Sequence, residues 1–329
     1  MRTIIIRHFV IVILTFFFQL SFAQENNKIE TDTSIVETMY HPNFNSIKIF
    51  NELKDKSKMY YTELYLDSKK IKEQGIFTGN NAAGVWKEFF QDGKLKRVID
   101  YNKGIITYFD KKTFPFLGLQ NLFKLKGDSI IKKNYSQDFF DKNIVWSLGN
   151  SYIYNGDESG NWTDEFKKEP TKFLLRYNVK LDGRTYKDRI EFEINSEGQV
   201  IPNDYENIYG FEQLPKNSSK TFELNREKAI GIAKQKGLQE TDSTKAESLL
   251  SWENSKSKNI YNGRFRFYVL IKTATIKGIK TAGRSSIINK FDVYVFNPWT
   301  AEFVEKRKMK AIHSWEEMSG TSTGLLPDN

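Results

Sequence analysis

Cysteine is absent from this 329-residue chain, and histidine (3) and proline (7) are scarce. Without cysteine there is no disulfide framework, no thiolate metal site and no lipid-modified N-terminal cysteine, so packing alone must hold the fold. Few histidines leave little for His-based metal sites or catalytic triads. No HExxH, GxSxG, P-loop or GxGxxG motif occurs. The sequence therefore predicts no bound metal, no cofactor and no catalytic residues.

Long apolar runs are also rare, and only one stands out. Residues 1–23 combine a positively charged start, the apolar run Phe9–Phe18 and the small residue Ala23 before Gln24. This order is typical of a cleaved signal peptide, so we expect export to the periplasm, the cell surface or the medium. An uncleaved membrane anchor is the alternative, although the run is short for a span. No transmembrane segment is expected after cleavage.

The net charge is +9, from lysines spread fairly evenly along the chain. Such a charge permits contact with anionic lipids, acidic glycans or nucleic acid but identifies none of them. Export argues against nucleic acid. We therefore interpret the charge as a lysine-rich solvated surface and expect no nucleic-acid partner.

Aromatic residues, by contrast, are abundant at 15%. Val85–Phe90 and Leu95–Tyr101 flank the turn signal Asp92-Gly93, a strong local indication of a β-hairpin. Shifting the chain by 24 residues aligns Tyr65 with Phe89 and Phe77 with Tyr101, which indicates a weaker earlier copy. The sequence thus predicts an array of two hairpins over residues 59–108.

The better copy resembles MORN repeats, in the variant found in bacterial envelope proteins. The residues that carry this resemblance are Gly84, Trp86, Phe89, Phe90, Asp92, Gly93, Tyr101 and Gly104. In the earlier copy Ser68 and Lys69 replace the Asp-Gly turn. The resemblance covers about 50 of the 329 residues and implies a scaffold that binds proteins or lipids.

Four aromatic residues of this copy are the candidate binding residues: Trp86, Phe89, Phe90 and Tyr101. They would form either an exposed platform for a glycan or peptide, or the packing between consecutive hairpins. The packing interpretation is favoured, because short repeats bury little else.

The rest of the chain predicts further β structure. Residues 24–58 are expected as a polar lead segment with one short strand around Ser46–Phe50, and residues 109–127 as a linker. Residues 128–215 are expected as a β-rich domain, with a hairpin formed by Lys172–Leu181 and Tyr186–Ile194. Ile190, Phe192 and Ile194 alternate with glutamates, the pattern of a half-buried strand.

Residues 216–318 predict a helix followed by a four-stranded antiparallel meander, and residues 319–329 a flexible tail. Asn225 is the expected helix N-cap, and Gly237 the expected C-terminal residue in a left-handed conformation. The predicted fold class is mainly β, or α+β. It consists of a two-hairpin array followed by antiparallel sheet domains, the last with one packed helix.

The region 222–312 resembles the PepSY family of exported bacterial proteins. The resemblance is carried by Ala229, Ile230 and Ala233 on the helix, by Phe291–Phe296 and by the turn Asn297–Glu302. Asn297 stands for the family's Asp, and Ala301 for its Gly. The turn Asn195–Val200 is similar, which would make the middle region a divergent relative. The resemblance implies peptidase inhibition.

Candidate catalytic groups are few. His41 and His313 are far apart in sequence, and both are expected in surface or packing roles. Glu191 and Glu193 share one strand face, which is more typical of a solvated face than of a glycosidase carboxylate pair. The leading hypothesis is a non-enzymatic, exported protein that binds a protein or glycan of the bacterial cell envelope. The alternatives are an envelope-polymer hydrolase that uses a carboxylate pair, and an inhibitor of a secreted peptidase.

Overall fold

A computed structural model describes residues 26–156, 158–201, 221–254, 263–281, 284–316 and 319–328. Among the described residues strands make up 54% and helices 16%, which confirms the prediction of a mainly β fold. The predicted signal peptide, residues 1–23, lies outside the described residues. The chain divides into two compact units, Met1–Leu117 and Gly118–Asn329. Of the helices described, none has the length and apolar character needed to cross a bilayer.

The first unit is built on an eight-stranded antiparallel meander in which each strand pairs with the next along the chain. Its strands are β1 (Asn27–Glu30), β2 (Ser34–His41), β3 (Ser46–Leu53), β4 (Met59–Tyr65), β5 (Ile71–Thr78), β6 (Asn81–Phe89), β7 (Leu95–Asp100) and β8 (Ile105–Phe109). The predicted β6–β7 hairpin is present: β7 has the predicted bounds to within one residue, whereas β6 begins at Asn81, four residues before the predicted Val85.

The expected polar lead segment, residues 24–58, is instead mostly strand. β3 begins at Ser46 as predicted, but β1 and β2 precede it and pair along their whole length. β2 is half-buried at every position and places polar and apolar residues in no strict alternation. A strand without that alternation is hard to recognise from sequence, although its backbone hydrogen bonds extend the sheet as well as any other.

The second unit contains three helices and two curled half-barrel sheets. The helices are α1 (Leu117–Asn134), α2 (Gln137–Asn143) and α3 (Arg226–Gln235). One sheet contains β9 (Ile144–Trp146), β10 (Tyr152–Asn155), β11 (Glu158–Asn161), β12 (Lys172–Leu181) and β13 (Arg184–Asn195). The other contains β14 (Glu247–Asn254), β15 (Gly263–Thr281), β16 (Arg284–Phe296), β17 (Phe303–Glu316), β18 (Ser319–Ser322) and β19 (Leu326–Pro327).

Helix α1 was not predicted, because the expected linker, residues 109–127, covers its first half. The buried positions recur with helical spacing, but several of them are polar: Leu117, Gln120, Phe123, Lys124, Asp128 and Ile131. Two leucines, Leu122 and Leu125, point the other way and are exposed. Hydrophobic periodicity is the main sequence signal of an amphipathic helix. In α1 that signal is lost, because three of these six buried positions carry polar side chains and two leucines are exposed.

Two of the buried polar groups of α1, Lys124 and Asp128, satisfy one another, whereas the Gln120 amide has no hydrogen-bond partner among the described residues. The Lys124 ammonium lies 2.6 Å from a carboxylate oxygen of Asp128, one turn further along the helix. The other oxygen of Asp128 accepts a hydrogen bond of 3.0 Å from the hydroxyl of Tyr177 on β12, whose side chain is fully buried. The helix is therefore attached to the sheet by a polar network rather than by apolar contacts alone.

The two sheets of the second unit agree with most of the sequence predictions. β12 and β13 form the predicted hairpin, and Ile190, Phe192 and Ile194 are fully buried. α3 is followed by the predicted meander β14–β15–β16–β17. The Asn225 side chain accepts from Lys228 N as an N-cap, and Gly237 has a φ of 93°.

The expected flexible tail, residues 319–329, is largely paired with β17. β18 pairs with its end, and β19 pairs with Met309 and Lys310. Asp328 forms ion pairs with Lys290 and Lys310. These strand pairs and ion pairs hold the segment in place. The small polar residues of the segment do not indicate such pairing in the sequence.

Candidate binding site

The predicted binding residues Trp86 and Tyr101 come together within the eight-stranded sheet. Trp86 is only 6% exposed, and its ring stacks on Tyr61 at 5.5 Å and meets Phe77 and Tyr101 edge-on at 4.9 and 5.8 Å. Its indole N–H donates to the carbonyl oxygens of Ile76 and Ala83, each at 3.1 Å. These contacts are packing between consecutive hairpins, the interpretation that the sequence favoured.

Gly75 makes room for this indole. A Cβ built on Gly75 would lie 2.1 Å from a ring carbon of Trp86, far inside van der Waals contact. Gly75 also falls at a register shift between β5 and β6, where this single residue lies opposite three residues of β6. The glycine and the bulge therefore let the ring lie flat over the backbone of the neighbouring strand.

Phe89 and Phe90, the other two predicted residues, are half-buried at the end of β6. The Phe89 carbonyl accepts a hydrogen bond of 2.9 Å from the Tyr65 hydroxyl. Phe90 N donates to Lys94 O at 2.8 Å across the turn. Phe89 also lines a pocket of about 230 Å³. The four residues therefore divide: Trp86 and Tyr101 lie in the aromatic packing, Phe89 lies at a pocket wall and Phe90 lies at the turn.

This pocket joins charged and aromatic side chains from β4 to β7. It is lined by Glu63, Tyr65, Lys72, Glu73, Glu88, Phe89 and Lys96. Strand register explains the meeting of the three carboxylates. Glu63 on β4 lies opposite Glu73 on β5, which lies opposite Glu88 on β6. Directly opposite residues of antiparallel strands share one face and lie about 5 Å apart at Cα, so the three side chains form a row.

Two members of the row are compensated by basic side chains. Glu63 accepts from the Lys72 ammonium at 2.9 Å and from the Tyr61 hydroxyl at 2.8 Å. Glu88 forms an ion pair with Arg97 and lies 4.0 Å from the Lys96 ammonium. Both lysines occupy bulge positions, which add them to the side of the sheet that carries the glutamates.

Glu73, the middle member, is not compensated in this way. In the described part of the protein its carboxylate has neither an ion pair within 4 Å nor a hydrogen bond. Burial, together with the neighbouring carboxylates of Glu88 and Glu63, raises the pKa of Glu73 from 4.5 to about 7, and Arg97 and Lys72 oppose this rise only in part. Glu73 thus exchanges a proton near neutral pH, inside a pocket.

The same surroundings shift the pKa values of Glu63 and of the neighbouring Tyr61 in opposite directions. Burial acts to raise the pKa of Glu63, but hydrogen bonds from Lys72 and Tyr61 outweigh it and hold that pKa below its ordinary value. Burial and the hydrogen bond to Glu63 raise the pKa of the Tyr61 hydroxyl. The pKa values of Glu63 and Tyr61 on β4 and of Glu73 on β5 are therefore shifted in different ways, and of these three groups Glu73 is the one left in need of a donor.

Sequence reasoning missed this site because the repeat was aligned one residue out of register. In both hairpins a residue at the start of the turn donates its backbone N–H to the carbonyl oxygen of the lysine at the end of the turn, Tyr65 to Lys70 and Phe90 to Lys94. Tyr65 therefore corresponds to Phe90 rather than to Phe89. The turn of the first hairpin has one residue more than the turn of the second. When this residue is counted, Glu63 corresponds to Glu88, and that correspondence can be seen in the sequence.

The other sequence candidates lie in ordinary surroundings. His313 is exposed, with Nδ1 2.6 Å from the Ser322 hydroxyl and its ring stacked on Trp315. His41 meets the ring of Phe44 edge-on. Glu191 pairs with Arg176 and Glu193 with Lys172, each across to the neighbouring strand. Within the residues that the structure describes, no three His, Asp or Glu side chains are arranged to hold a metal ion.

Similarity to known proteins gives no further guide to this site. No protein-family model matches the chain, and no curated protein matches it. The assignment of a function therefore depends on the pocket itself.

Proposed function

We propose that this protein is an exported binding protein of the bacterial cell envelope that holds a cationic group of its partner at Glu73. The feature that supports export is the signal-peptide pattern of residues 1–23. The observation that carries the binding site is the half-buried Glu73 carboxylate, which lines a pocket and has no donor there. The partner is a protein or a glycan.

The charges of the pocket select the ligand. Lys72 is already engaged by Glu63, and Lys96 and Arg97 by Glu88, so Glu73 is left to be matched by one positive group or strong N–H donor of a ligand. An ammonium or guanidinium group placed beside Glu73 would face three carboxylates. Tyr65 and Phe89 on the pocket wall would flank the apolar stem that carries such a group. A lysine or arginine side chain and an amino sugar both fit this description.

Binding of a cation requires an ionised Glu73. With a pKa of about 7, the free protein is largely protonated at this site below neutral pH and ionised above it. A bound cation favours the charged form, so ligand binding and proton release are linked. We therefore expect affinity to fall as the pH is lowered through about 7.

The test uses Glu73→Gln, which keeps the shape of the side chain and removes its charge. Calorimetry at about pH 8 and about pH 5.5 would measure two ligands that stay cationic at both, a lysine-rich peptide and an N-trimethylated glucosamine oligomer. We expect at least one to bind the unmodified protein more tightly at the higher pH, and Glu73→Gln to weaken that binding by at least about tenfold. Glu52→Gln is the matched control, because Glu52 is half-buried in β3 but does not line the pocket.

Two results would reject this proposal. One is that neither cationic ligand binds at the higher pH. The other is that Glu73→Gln binds as tightly as the unmodified protein. An acetylated glucosamine oligomer provides a further control, since it keeps the sugar rings and loses the positive charge.

A hydrolase of envelope polymers is the second candidate, and the raised pKa of Glu73 is the observation that favours it. A protonated carboxyl opposite an ionised one is the arrangement that glycosidases use, and Glu73 lies directly opposite Glu88. In this case the unmodified protein would cleave a polysaccharide, and Glu73→Gln would lose turnover while still binding the substrate. Binding without cleavage at every pH tested would exclude it.

A further inference from the structure

An apolar cluster lies on one face of the β14–β17 sheet. Five buried side chains form its core: Tyr268, Leu270, Val293, Val295 and Met309. Leu249, Phe291 and Leu325 pack against them. The register places these residues on one face, since Leu270 lies opposite Val293, and Phe291 opposite Met309. The side chains that alternate with them, such as Val269 and Tyr294, are fully buried on the other face.

This apolar cluster opens into a cavity of about 280 Å³. Leu270 and Phe291 belong both to the cluster and to the cavity wall. The remaining wall is polar: Ser243, Thr244, Lys245, Glu247, Lys272 and Asn289. The first three precede β14, and the others lie on β14, β15 and β16. The cavity thus has an apolar floor that is continuous with the core and a polar rim.

The charges on the rim are not paired. Neither Lys245 nor Lys272 has an ion pair within 4 Å in the described part of the protein, and Glu247 has none either. The rim therefore carries one net positive charge. Nearby lysines differ in this respect, because Lys290 and Lys310 are held by Asp328 at 2.9 and 3.5 Å. Two ammonium groups beside an apolar floor favour a ligand that has an acid group and a hydrocarbon part.

We propose that this cavity binds a small anionic amphiphile, a carboxylate with a medium-length alkyl chain. The chain lies over Leu270 and Phe291, where it removes apolar surface from water. The acid group lies between Lys245 and Lys272, and Asn289 offers an amide donor. A volume of about 280 Å³ is near the lower end for small-molecule sites, so a single short chain fits better than a complete lipid.

The charge on the ligand head group provides the first test. Calorimetry of the full exported chain with decanoate, decanol and decyltrimethylammonium compares three heads on one chain length. We expect decanoate to bind at least about tenfold more tightly than either of the others. Equal binding of decanoate and decanol would overturn the proposal, because the lysines would then contribute nothing. Failure of decanoate to bind would overturn it as well.

Charge reversal on the protein provides the second test. Lys272→Glu and Lys245→Glu should each weaken decanoate binding by at least about tenfold. Lys245 lies outside the strands, so its variant remains informative if Lys272→Glu fails to fold. Lys308→Glu is the matched control, because Lys308 is exposed on β17 opposite Asp292 and does not line the cavity. Unchanged affinity in Lys245→Glu would contradict the assignment.

The two proposed sites are independent. Glu73→Gln should leave decanoate binding unchanged, and Lys245→Glu should leave binding of the cationic ligand unchanged. Each variant therefore tests one site and serves as a control for the other.

Discussion

The two hairpin copies of the first unit, β4–β5 and β6–β7, use the same positions for different purposes. In the second copy Glu88 lies opposite Arg97, and the two form an ion pair. In the first copy the corresponding residues are Glu63 and Glu73, which lie opposite each other with like charge. The backbone geometry is shared, and a single change of charge turns a stabilising pair into a carboxylate with a raised pKa.

The positions that match between the two copies are the ones that the array needs for folding. Tyr61 and Trp86 occupy equivalent positions, stack on each other and are both buried. A partner for the glutamate is also conserved between the copies, as Lys72 for Glu63 and Lys96 for Glu88. Glu73 is the departure. A residue that breaks a local rule without a compensating contact is expected at a functional site rather than in a scaffold.

The largest effect should come from the shared aromatic packing. Trp86→Ala removes three ring contacts and two hydrogen bonds, and we expect it to lower the free energy of unfolding by about 3–5 kcal/mol. Urea unfolding would measure this change. Val85→Ala, at the neighbouring and 49% exposed position, should have a small effect. If Trp86→Ala lowered the free energy of unfolding no more than Val85→Ala, the aromatic packing would not hold the two copies together.

The charge difference between the copies should appear as a pH dependence. The folded protein keeps the Glu73 proton up to about pH 7, whereas the unfolded chain releases it near 4.5. Glu73 therefore makes the free energy of unfolding fall as the pH rises between these values. Glu73→Gln should remove this fall and gain about 1–3 kcal/mol at about pH 8, with no gain at about pH 4.

Glu73→Arg gives the first copy the charge pattern of the second. We expect it to be at least as stable at about pH 8 as the Glu73→Gln variant, because an arginine would meet carboxylates on both sides. Urea unfolding of the two variants at that pH measures the difference. A stability gain together with a loss of ligand binding would show that Glu73 is retained for function. A loss of stability in both variants would mean that Glu73 has a structural partner.

Sequence patterns predicted the elements whose polarity follows their periodicity. The β6–β7 hairpin, the β12–β13 hairpin and α3 with its cap at Asn225 all have apolar residues where burial requires them. Helix α1 does not, since Gln120, Lys124 and Asp128 are buried while Leu122 and Leu125 are exposed. The burial of Lys124 and Asp128 is explained by the partner of Asp128, the Tyr177 hydroxyl, which lies 49 residues away in sequence.

The candidate site was hidden for a related reason. Glu63, Glu73 and Glu88 lie on three strands, and their meeting depends on a register that a bulge at Lys72 shifts by one residue. A one-residue shift moves a side chain to the opposite face of a sheet, so an approximate alignment of the two copies does not bring the glutamates together. Phe89 was predicted from its repeat position and does line the pocket.

The smallest expected effect concerns the turns of the two copies. Lys69 in the first turn has a φ of 55°, whereas Gly93 occupies the equivalent position of the second with a φ of 92°. A side chain in this left-handed region is strained and glycine is not. Lys69→Gly should therefore raise the free energy of unfolding by about 0.5–1 kcal/mol, and Gly93→Ala should lower it by about 1 kcal/mol. Urea unfolding of both variants measures the pair. Opposite signs would establish that the first copy is the strained one, whereas equal losses would show that the two turns do not correspond.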